Sequence, residues 1–468
     1  MNTQVLDAQL EQQQHIMAEL AARNAQRETP PTAFVDTYGC QQNEADSERI
    51  RGMLQEMGFA RGEDAQSADI VVLNTCAIRE HAELRVLGHV GALKPSKEQN
   101  PGKIIALCGC MMQEEGTAEK IKKSYRHVDL VFGTHVIWQF PELLHRIMTR
   151  RGRIFAVEQS EGVITEGLPQ VRESAHEAWV SIMYGCNNFC TYCIVPSVRG
   201  RERSRRPEVI LDEVRTLATQ GYREITLLGQ NVNSYGKDLN ADVDFAGLLE
   251  QINAIDGDFL VRFMTSHPRD ASPRLFSVMA HCEKIAPHLH LPVQAGSNRV
   301  LAAMNRHYTR EHYLDLIADV KAKIPHLVLT SDIIVGFPGE TTAEFEETLS
   351  LIEQVRYDAL FTFIYSPRVG TPAAELDDPM SRADKGKNFQ RLLDAQTAIG
   401  AERQARWVGE TLRCFVQKEG DDPRYSLHAR TPGGRLVHFN GDATLIGSFQ
   451  RIKITGASNW VLFGELEV

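Results

Sequence analysis

Cys186, Cys190 and Cys193 stand in the stretch Tyr184-Gly-Cys-Asn-Asn-Phe-Cys-Thr-Tyr-Cys-Ile-Val-Pro196. Spacings of four and three residues let one loop turn three thiolates toward a single point, and no neighbouring His or Cys completes the set. A structural zinc site normally closes with four protein ligands. Three thiolates on a cubane iron–sulfur cluster instead leave one iron open to a small molecule, and the loop favours that reading. Nine cysteines in 468 residues fit the same chemistry. The N-terminus, with Gln12, Gln13 and Gln14 amid Glu and Ala, lacks the apolar stretch of a secretion signal. The chain therefore reads as cytoplasmic, where disulfides are rare and cysteine more often means metal or redox chemistry.

A second set, Cys40, Cys76 and Cys110, is separated by 36 and 34 residues. One strand–helix–strand step takes roughly 30 residues or more, so each of these cysteines falls just past the end of a successive strand. In an open parallel sheet those ends share the edge where ligands bind, and three thiolates can converge there despite their separation. Free cysteine is often simply buried, but Tyr-Gly-Cys-Gln-Gln-Asn around Cys40 and Cys-Gly-Cys-Met-Met-Gln around Cys110 are turn-like. Cys108, Cys282 and Cys414 read as structural.

Alternating strand and helix periods place these residues. Residues 1–30 are rich in Gln, Glu and Ala, end at Pro30-Pro31 and read as a polar tail, a loosely attached helix or coil. Residues 33–149 read as a small parallel α/β domain with strands at 33–38, 69–73, 103–107 and 128–132. A polar linker is expected over 150–177. A core domain is expected over 178–402, with six further strand–helix units between about 178 and 365 whose strands lie near 179–183, 224–229, 259–264, 288–292, 327–335 and 359–364, two units short of a closed (β/α)8 barrel. Residues 403–468, punctuated by Asp421-Asp422-Pro423, Pro432-Gly433-Gly434 and Asn440-Gly441-Asp442, read as a small antiparallel β-barrel. The hydrophobic fraction of 43% is that of an ordinary globular protein, and no apolar run reaches the roughly 18 residues of a membrane helix. A net charge of −10 argues against indiscriminate binding of nucleic acid. Positive charge is nonetheless concentrated, with five arginines against one glutamate in 199–206, where a polyanion could use it.

The Cys-x3-Cys-x2-Cys loop after the first strand of a partial barrel resembles the radical S-adenosylmethionine (SAM) superfamily. Together with the three-cysteine N-terminal domain and the terminal barrel, it resembles the methylthiotransferase family over roughly 33–468. Within that family, Tyr-Gly-Cys-Gln-Gln-Asn-Glu-Ala-Asp-Ser at 38–47, Leu-Gly-Gln-Asn-Val-Asn-Ser-Tyr at 228–235 and Thr-Ser-His-Pro at 265–268 are similar to the branch acting on isopentenylated adenosine 37 of tRNA. So are His-Leu-Pro-Val-Gln-Ala-Gly-Ser at 290–297 and Asp-Ile-Ile-Val-Gly-Phe-Pro-Gly-Glu at 332–340. Met112 and Ala295 depart from the branch without touching a ligand position.

The resemblance implies two 4Fe-4S clusters. SAM would bind the open iron of the Cys186 loop and yield a 5'-deoxyadenosyl radical, while Cys40, Cys76 and Cys110 would hold an auxiliary cluster carrying the sulfur to be donated. A second SAM would methylate that sulfur. SAM contacts map onto Gln230, Asn231, Ser266, Gln294 and Asp332, and substrate contacts onto Gln41, Asn43, Arg205 and Arg206. The terminal barrel corresponds to the TRAM module, an RNA binder, in which Phe415, Tyr425, Phe439 and Trp460 either stack on RNA or form core. The implied partners are the tRNA anticodon stem-loop, a sulfur source and an electron donor such as flavodoxin or ferredoxin, acting on a monomer without membrane attachment. Two alternatives remain open on the residues alone. One keeps the reaction and acts on threonylcarbamoyladenosine or a ribosomal-protein aspartate; the other is a non-catalytic iron–sulfur protein that binds RNA or carries electrons.

Overall fold

The computed structural model describes residues 7–77, 80–150, 152–158, 162–239 and 243–467. These fall into two compact units. One comprises Met1–Glu173, Met183–Asn187 and Cys193–Arg205; the other comprises Ser174–Ile182, Asn188–Tyr192 and Arg206–Val468.

The first unit is built on a six-stranded, wholly parallel sheet. In spatial order its strands are Ala60–Arg61, Thr32–Tyr38, Ile70–Thr75, Ile104–Gly109, Leu130–Phe132 and Ile154–Ala156. Every residue of the two central strands is buried, which is why Ile-Val-Val-Leu and Ile-Ile-Ala-Leu run without polar alternation. One face packs on Ile50, Met53 and Leu54 of the helix Gln41–Glu56 and on Met57 just past its end. The other packs on Val86, Val90, Ile121 and Val128.

Two segments are more firmly held than their composition suggests. The polar tail expected over 1–30 contains the helix Asp7–Asn24, whose Ile16, Met17 and Leu20 are buried in the sheet's core. Its polar residues also bind: Gln13 Oε1 accepts from the Glu142 amide at 3.2 Å, and Asn24 Nδ2 donates to the Met57 carbonyl at 2.8 Å. A narrow apolar stripe on a Gln-rich helix is enough for docking. The expected linker likewise supplies the edge strand Ile154–Ala156 and then straps the helix Gln41–Glu56. The buried Glu48 carboxylate accepts from Gln170 Nε2 at 2.8 Å and Arg172 Nη1 at 3.3 Å, while the Val171 amide donates to the Glu48 carbonyl at 3.0 Å. A Cβ on Gly52 would meet the Pro169 carbonyl at 2.4 Å, so only glycine permits this approach.

In the second unit, Glu177–Ser181, Glu224–Leu228 and Leu260–Phe263 form one parallel sheet, and His288–His290, Val328–Val335 and Ala359–Ile364 another. A parallel bridge joins Val261 of the first to Ile285, just before the second, and the six units form the open barrel expected from the sequence. Strands Thr411–Glu419, Leu427–Arg430, Leu436–Phe439, Phe449–Ala457 and Val461–Leu466 close the small barrel. Its core includes Cys414, Val416, Phe439 and Leu462.

Buried ion pairs hold the small barrel to the larger one. Arg262 donates to the carbonyls of Thr431 and Pro432 at 2.9 and 2.6 Å while its Nε faces Glu224 at 2.9 Å. Asp358, 2% exposed, gathers Arg403 at 3.0 Å and Arg406 and Arg435 at 3.1 Å, and accepts the Leu329 amide at 2.9 Å. Removing one partner of such a network leaves uncompensated buried charge. Asp358→Ala is therefore expected to cost about 3–5 kcal/mol, read as a lowered midpoint in chemical denaturation of the purified protein.

Candidate functional site

Three neighbouring strands of the first unit end level with one another. Tyr38 pairs with Thr75, and Thr75 with Gly109. Cys40, Cys76 and Cys110 follow those positions by two, one and one residues, so the register brings all three to one edge of the sheet. Cys40 caps the helix Gln41–Glu56 and Cys110 opens the short helix Cys110–Gln113. Cys76 and Cys110 are each 2% exposed.

The loops are laced together by side chains whose role the sequence did not disclose. Asn43 Nδ2 donates to Asn74 Oδ1 at 3.0 Å and to the Thr75 carbonyl at 3.1 Å, while its Oδ1 accepts from the Cys40 thiol at 3.3 Å. Asn74 in turn donates to the Asn43 carbonyl at 2.8 Å and to Ser47 at 3.0 Å. Asn43, expected to meet substrate, has no exposed surface and fastens the Cys40 loop to the Cys76 loop. Gln41 is exposed on the first turn of the helix. At Gly109, φ is 96° and a Cβ would lie 2.3 Å from the Thr75 carbonyl, so the Cys110 loop closes on its neighbour only without a side chain.

Burial, opposed by the positive charge of Arg199 and reinforced by Cys76 and Cys40, pushes the Cys110 thiol up to about 12. The Cys76 and Cys40 sulfurs are thus near enough for the Cys110 sulfur to feel their charge. Among the described residues no group of three or more His, Cys, Asp or Glu is gathered for a single metal ion. The fit to a cluster rests on the register, the thiol coupling and an Arg199 Nε donor 3.1 Å from the Cys110 sulfur. Cys108 and Cys414 are fully buried in apolar cores, and Cys282 follows the helix Pro273–His281.

The second cysteine loop is divided between the units, with Cys186 and Cys193 in the first and Cys190 in the second. In the first unit the Cys186 amide donates to the Gly200 carbonyl at 3.1 Å. A Cβ on Gly185, at φ 76°, would meet the Arg201 carbonyl at 2.0 Å. In the second, Cys190 Sγ faces Arg306 Nη1 at 3.3 Å.

The arginine run is not the phosphate-facing comb its sequence implies. Arg199 bridges Cys110 and Asp46, the latter at 2.9 Å. Arg203 donates to the carbonyls of Arg199 and Arg201. Arg205, expected to contact substrate, is 4% exposed and bound bidentately by Glu166 at 2.8 and 2.7 Å. Arg201 and Arg206 are the exposed members. Arg49, Arg199, Arg203, His135 and Tyr184 line a cleft in this unit. Burial, with Arg203 and Arg199 nearby, lowers His135 to about 4 and keeps it neutral at pH 7.

Of the residues expected to contact SAM, all but Asp332 lie past the carboxyl ends of the second unit's strands. Gln230, Asn231 and Ser266 follow the strands Glu224–Leu228 and Leu260–Phe263. Gln294 and Asp332 are joined through the backbone, the Gln294 amide donating to the Asp332 carbonyl at 2.9 Å. Asp332, within its strand rather than past it, faces His290 at 3.4 Å. Asn231 Nδ2 donates to Asp270 at 2.7 Å. Asn231 Oδ1, Ser266 Oγ and His267 Nε2 are buried without hydrogen-bond partners. Such groups are costly unless a ligand or water satisfies them, which fits a polar, amino-acid-bearing cofactor.

In the small barrel Phe415 and Phe439 are core, 1% and 0% exposed, and Tyr425 stacks on Phe463 with centroids 5.3 Å apart. Trp460 is 70% exposed and available for stacking.

Comparison with known proteins places these features in families. Residues 32–133 match the Uncharacterized protein family UPF0004, 180–352 the Radical SAM superfamily and 405–466 the TRAM domain. The chain is 48% identical over 465 residues to a tRNA-2-methylthio-N(6)-dimethylallyladenosine synthase of Thermoanaerobacter sp., covering 99% of this chain and 98% of that one. The protein of the same name from Acetivibrio thermocellus is 47% identical with the same coverage, and one from Clostridium botulinum is 49% identical over 92% of this chain and 96% of its own. Among solved structures, the radical S-adenosylmethionine methyltransferase TsrM from Kitasatospora setae shares the fold at a TM-score of 0.53 and 13% identity, covering 73% of this chain and 77% of that one. The geometry at Gly109 generates a prediction. Gly109→Ala should reduce the iron of anaerobically reconstituted protein from about eight to about four per chain, measured by iron assay, because the Cys110 loop can no longer close.

Proposed function

The chain belongs to the family of tRNA-2-methylthio-N(6)-dimethylallyladenosine synthases, and from that premise we propose how its residues divide the reaction. It methylthiolates carbon 2 of N(6)-isopentenyladenosine in tRNA, using SAM and two 4Fe-4S clusters. Cys186, Cys190 and Cys193 hold the cluster that meets SAM; Cys40, Cys76 and Cys110 hold the auxiliary one. The level ending of the three N-terminal strands carries this assignment, since it gives the chain a second three-thiol set on a scaffold of its own.

When bound, the clusters and SAM supply a carbon-centred radical and the sulfur to be inserted. The remaining work belongs to side chains. Asn43 and Asn74 hold the Cys40 and Cys76 loops in register. Asn231, Ser266 and His267 offer unsatisfied polar atoms to SAM at the strand ends, with Gln230, Gln294 and Asp332 beside them. His267 is kept neutral by burial and by Arg306, so it offers SAM a ring that is not cationic. The exposed Arg201 and Arg206 face the tRNA backbone, with Gln41 at the substrate, while Trp460 stacks on RNA, as single-stranded loops are held. The target adenine at position 37 of the anticodon stem-loop leaves its stack to react. A one-electron donor such as flavodoxin or ferredoxin and a separate sulfur source complete the reaction, in the cytoplasm and on a monomer. Among the described residues no helix is long and apolar enough to cross a membrane.

The reading is tested by nucleoside mass spectrometry of tRNA from a deletion strain, where the 2-methylthio nucleoside should vanish, its isopentenyl precursor accumulate, and this chain restore the product. Loss of a threonylcarbamoyladenosine derivative instead would overturn the substrate. Two variants separate the roles. Replacing Cys40, Cys76 and Cys110 by Ala should leave SAM cleavage to 5'-deoxyadenosine intact while abolishing the methylthio product. Trp460→Ala should weaken tRNA binding about 5- to 150-fold, the worth of one stacked base, with SAM cleavage in the absence of tRNA unchanged.

A further inference from the structure

Each three-cysteine set contains one sulfur that faces a buried guanidinium. Arg199, 6% exposed, points Nε at Cys110 Sγ across 3.1 Å and Nη2 at Asp46 Oδ2 across 2.9 Å. Its helix, Val195–Arg199, is held in place by Thr134, whose hydroxyl donates to the Val198 carbonyl at 2.6 Å, and by Ile194 and Val198 packing on Ala77 and Cys110. Arg306, 4% exposed, points Nη1 at Cys190 Sγ across 3.3 Å, Nε at the Tyr308 hydroxyl across 2.9 Å and Nη2 at the Pro292 carbonyl across 2.7 Å. Burying a guanidinium is costly unless it is paired and hydrogen-bonded, and a neutral thiol is a weak partner. A thiolate is a strong one, because the hydrogen bond is then charge-assisted on both sides.

We propose that Arg199 and Arg306 are positioning residues that set the reduction potentials of the two clusters, each by donating an N–H to one ligating thiolate. This rests on the cysteine assignment above. One-electron reduction by an external donor adds negative charge to a cluster and its sulfurs, while the arginine keeps all its bonds and protons. A donor and a fixed positive charge at the sulfur stabilise the reduced state more than the oxidised one, and the potential rises. The two arginines differ in what shares their charge. Arg306 is shared with neutral oxygens, whereas Arg199 is shared with the Asp46 carboxylate, which offsets part of its effect on Cys110. Arg199 with Asp46 thus forms an adjustable pair on the auxiliary side, and Arg306 an uncompensated donor on the SAM side.

The experiment is a potentiometric titration followed by electron paramagnetic resonance on full-length reconstituted protein carrying one cluster at a time. The Cys186→Ala, Cys190→Ala, Cys193→Ala background isolates the auxiliary cluster, and the Cys40→Ala, Cys76→Ala, Cys110→Ala background isolates the other. Arg199→Met should lower the auxiliary midpoint by about 59 mV, a tenfold shift toward the oxidised state for a one-electron couple, and leave the other midpoint in place. Arg306→Met should do the reverse. Asp46→Asn, which keeps the guanidinium, should raise the auxiliary midpoint; opposite signs from two partners of one ion pair are not what a merely structural role gives. Should Arg199→Met fail to retain iron, Asp46→Asn decides. Midpoints unchanged in iron-loaded Asp46→Asn and Arg306→Met overturn the proposal. A parent background that binds no second cluster overturns the cysteine assignment instead, and iron assay of that background tells the two failures apart.

Discussion

Parallel strands paired without offset decide what the first unit can do. Tyr38, Thr75 and Gly109 are partners across three adjacent strands, so the chain turns out of the sheet three times at one level. Each turn delivers a cysteine. A slip of one residue in any strand would reverse its side chains between the two faces and carry its cysteine off that edge. The slip is prevented by the apolar cores on both faces, which bury every residue of the two central strands, and by the Asn43–Asn74–Thr75 lacing at the edge itself. Gly109 belongs to the same constraint, because the loop bearing Cys110 approaches the Thr75 carbonyl more closely than any Cβ allows.

A chain of net charge −10 nevertheless buries arginines, and several of them are paired with carboxylates. Asp358 gathers three, Glu166 takes Arg205, Glu224 takes Arg262, and Asp46 shares Arg199 with Cys110. Such pairs are weak contributors to net stability yet strongly destabilising to break, so they select one arrangement over its alternatives. The small barrel illustrates this. With Arg262 and Asp358 reaching its residues 431–435, removing it would strand buried charge in the larger barrel. Point substitutions on its exposed face therefore report on RNA more cleanly than truncation does.

Much of this was legible in the sequence where a pattern repeats. The 36- and 34-residue cysteine intervals carried the strand-end argument because a strand–helix–strand step has a characteristic length, and the six units of the barrel followed from the same periodicity. What could not be read were pairings over long separations. Five arginines in eight residues look like a basic surface, but Glu166 and Asp46, which bury two of them, lie 39 and 153 residues away. Asn43 sits beside a cysteine in a polar motif and reads as substrate-facing; only the fold shows its amide turned to Asn74. The docking of the Gln-rich N-terminal helix escaped for the opposite reason: the buried Ile16, Met17 and Leu20 are too few to move a compositional average, though enough to dock one face.

Backbone strain marks the second unit's working edge independently of any side-chain assignment. Six described non-glycine residues have positive φ, and five of them flank the groups discussed above. Phe189, at 47°, precedes Cys190; Thr265, at 66°, precedes Ser266; Gln294 itself is at 76°. Asn305 and His307, at 60° and 58°, stand on either side of Arg306. Each such residue costs of order 1–3 kcal/mol, less for Asn and His, and persists only where its surroundings over-determine it. Here the surroundings are visible: Asn305 Nδ2 donates to the Phe189 carbonyl at 2.9 Å, and Arg306 reaches from between the two strained positions to Cys190 and to the Pro292 carbonyl. The left-handed residues Asn305 and His307 on either side of Arg306 aim its guanidinium at the cysteine loop. Relaxing it would free a few kcal/mol and lose the contact with Cys190, so the strain and the donor to Cys190 are two aspects of a single local device.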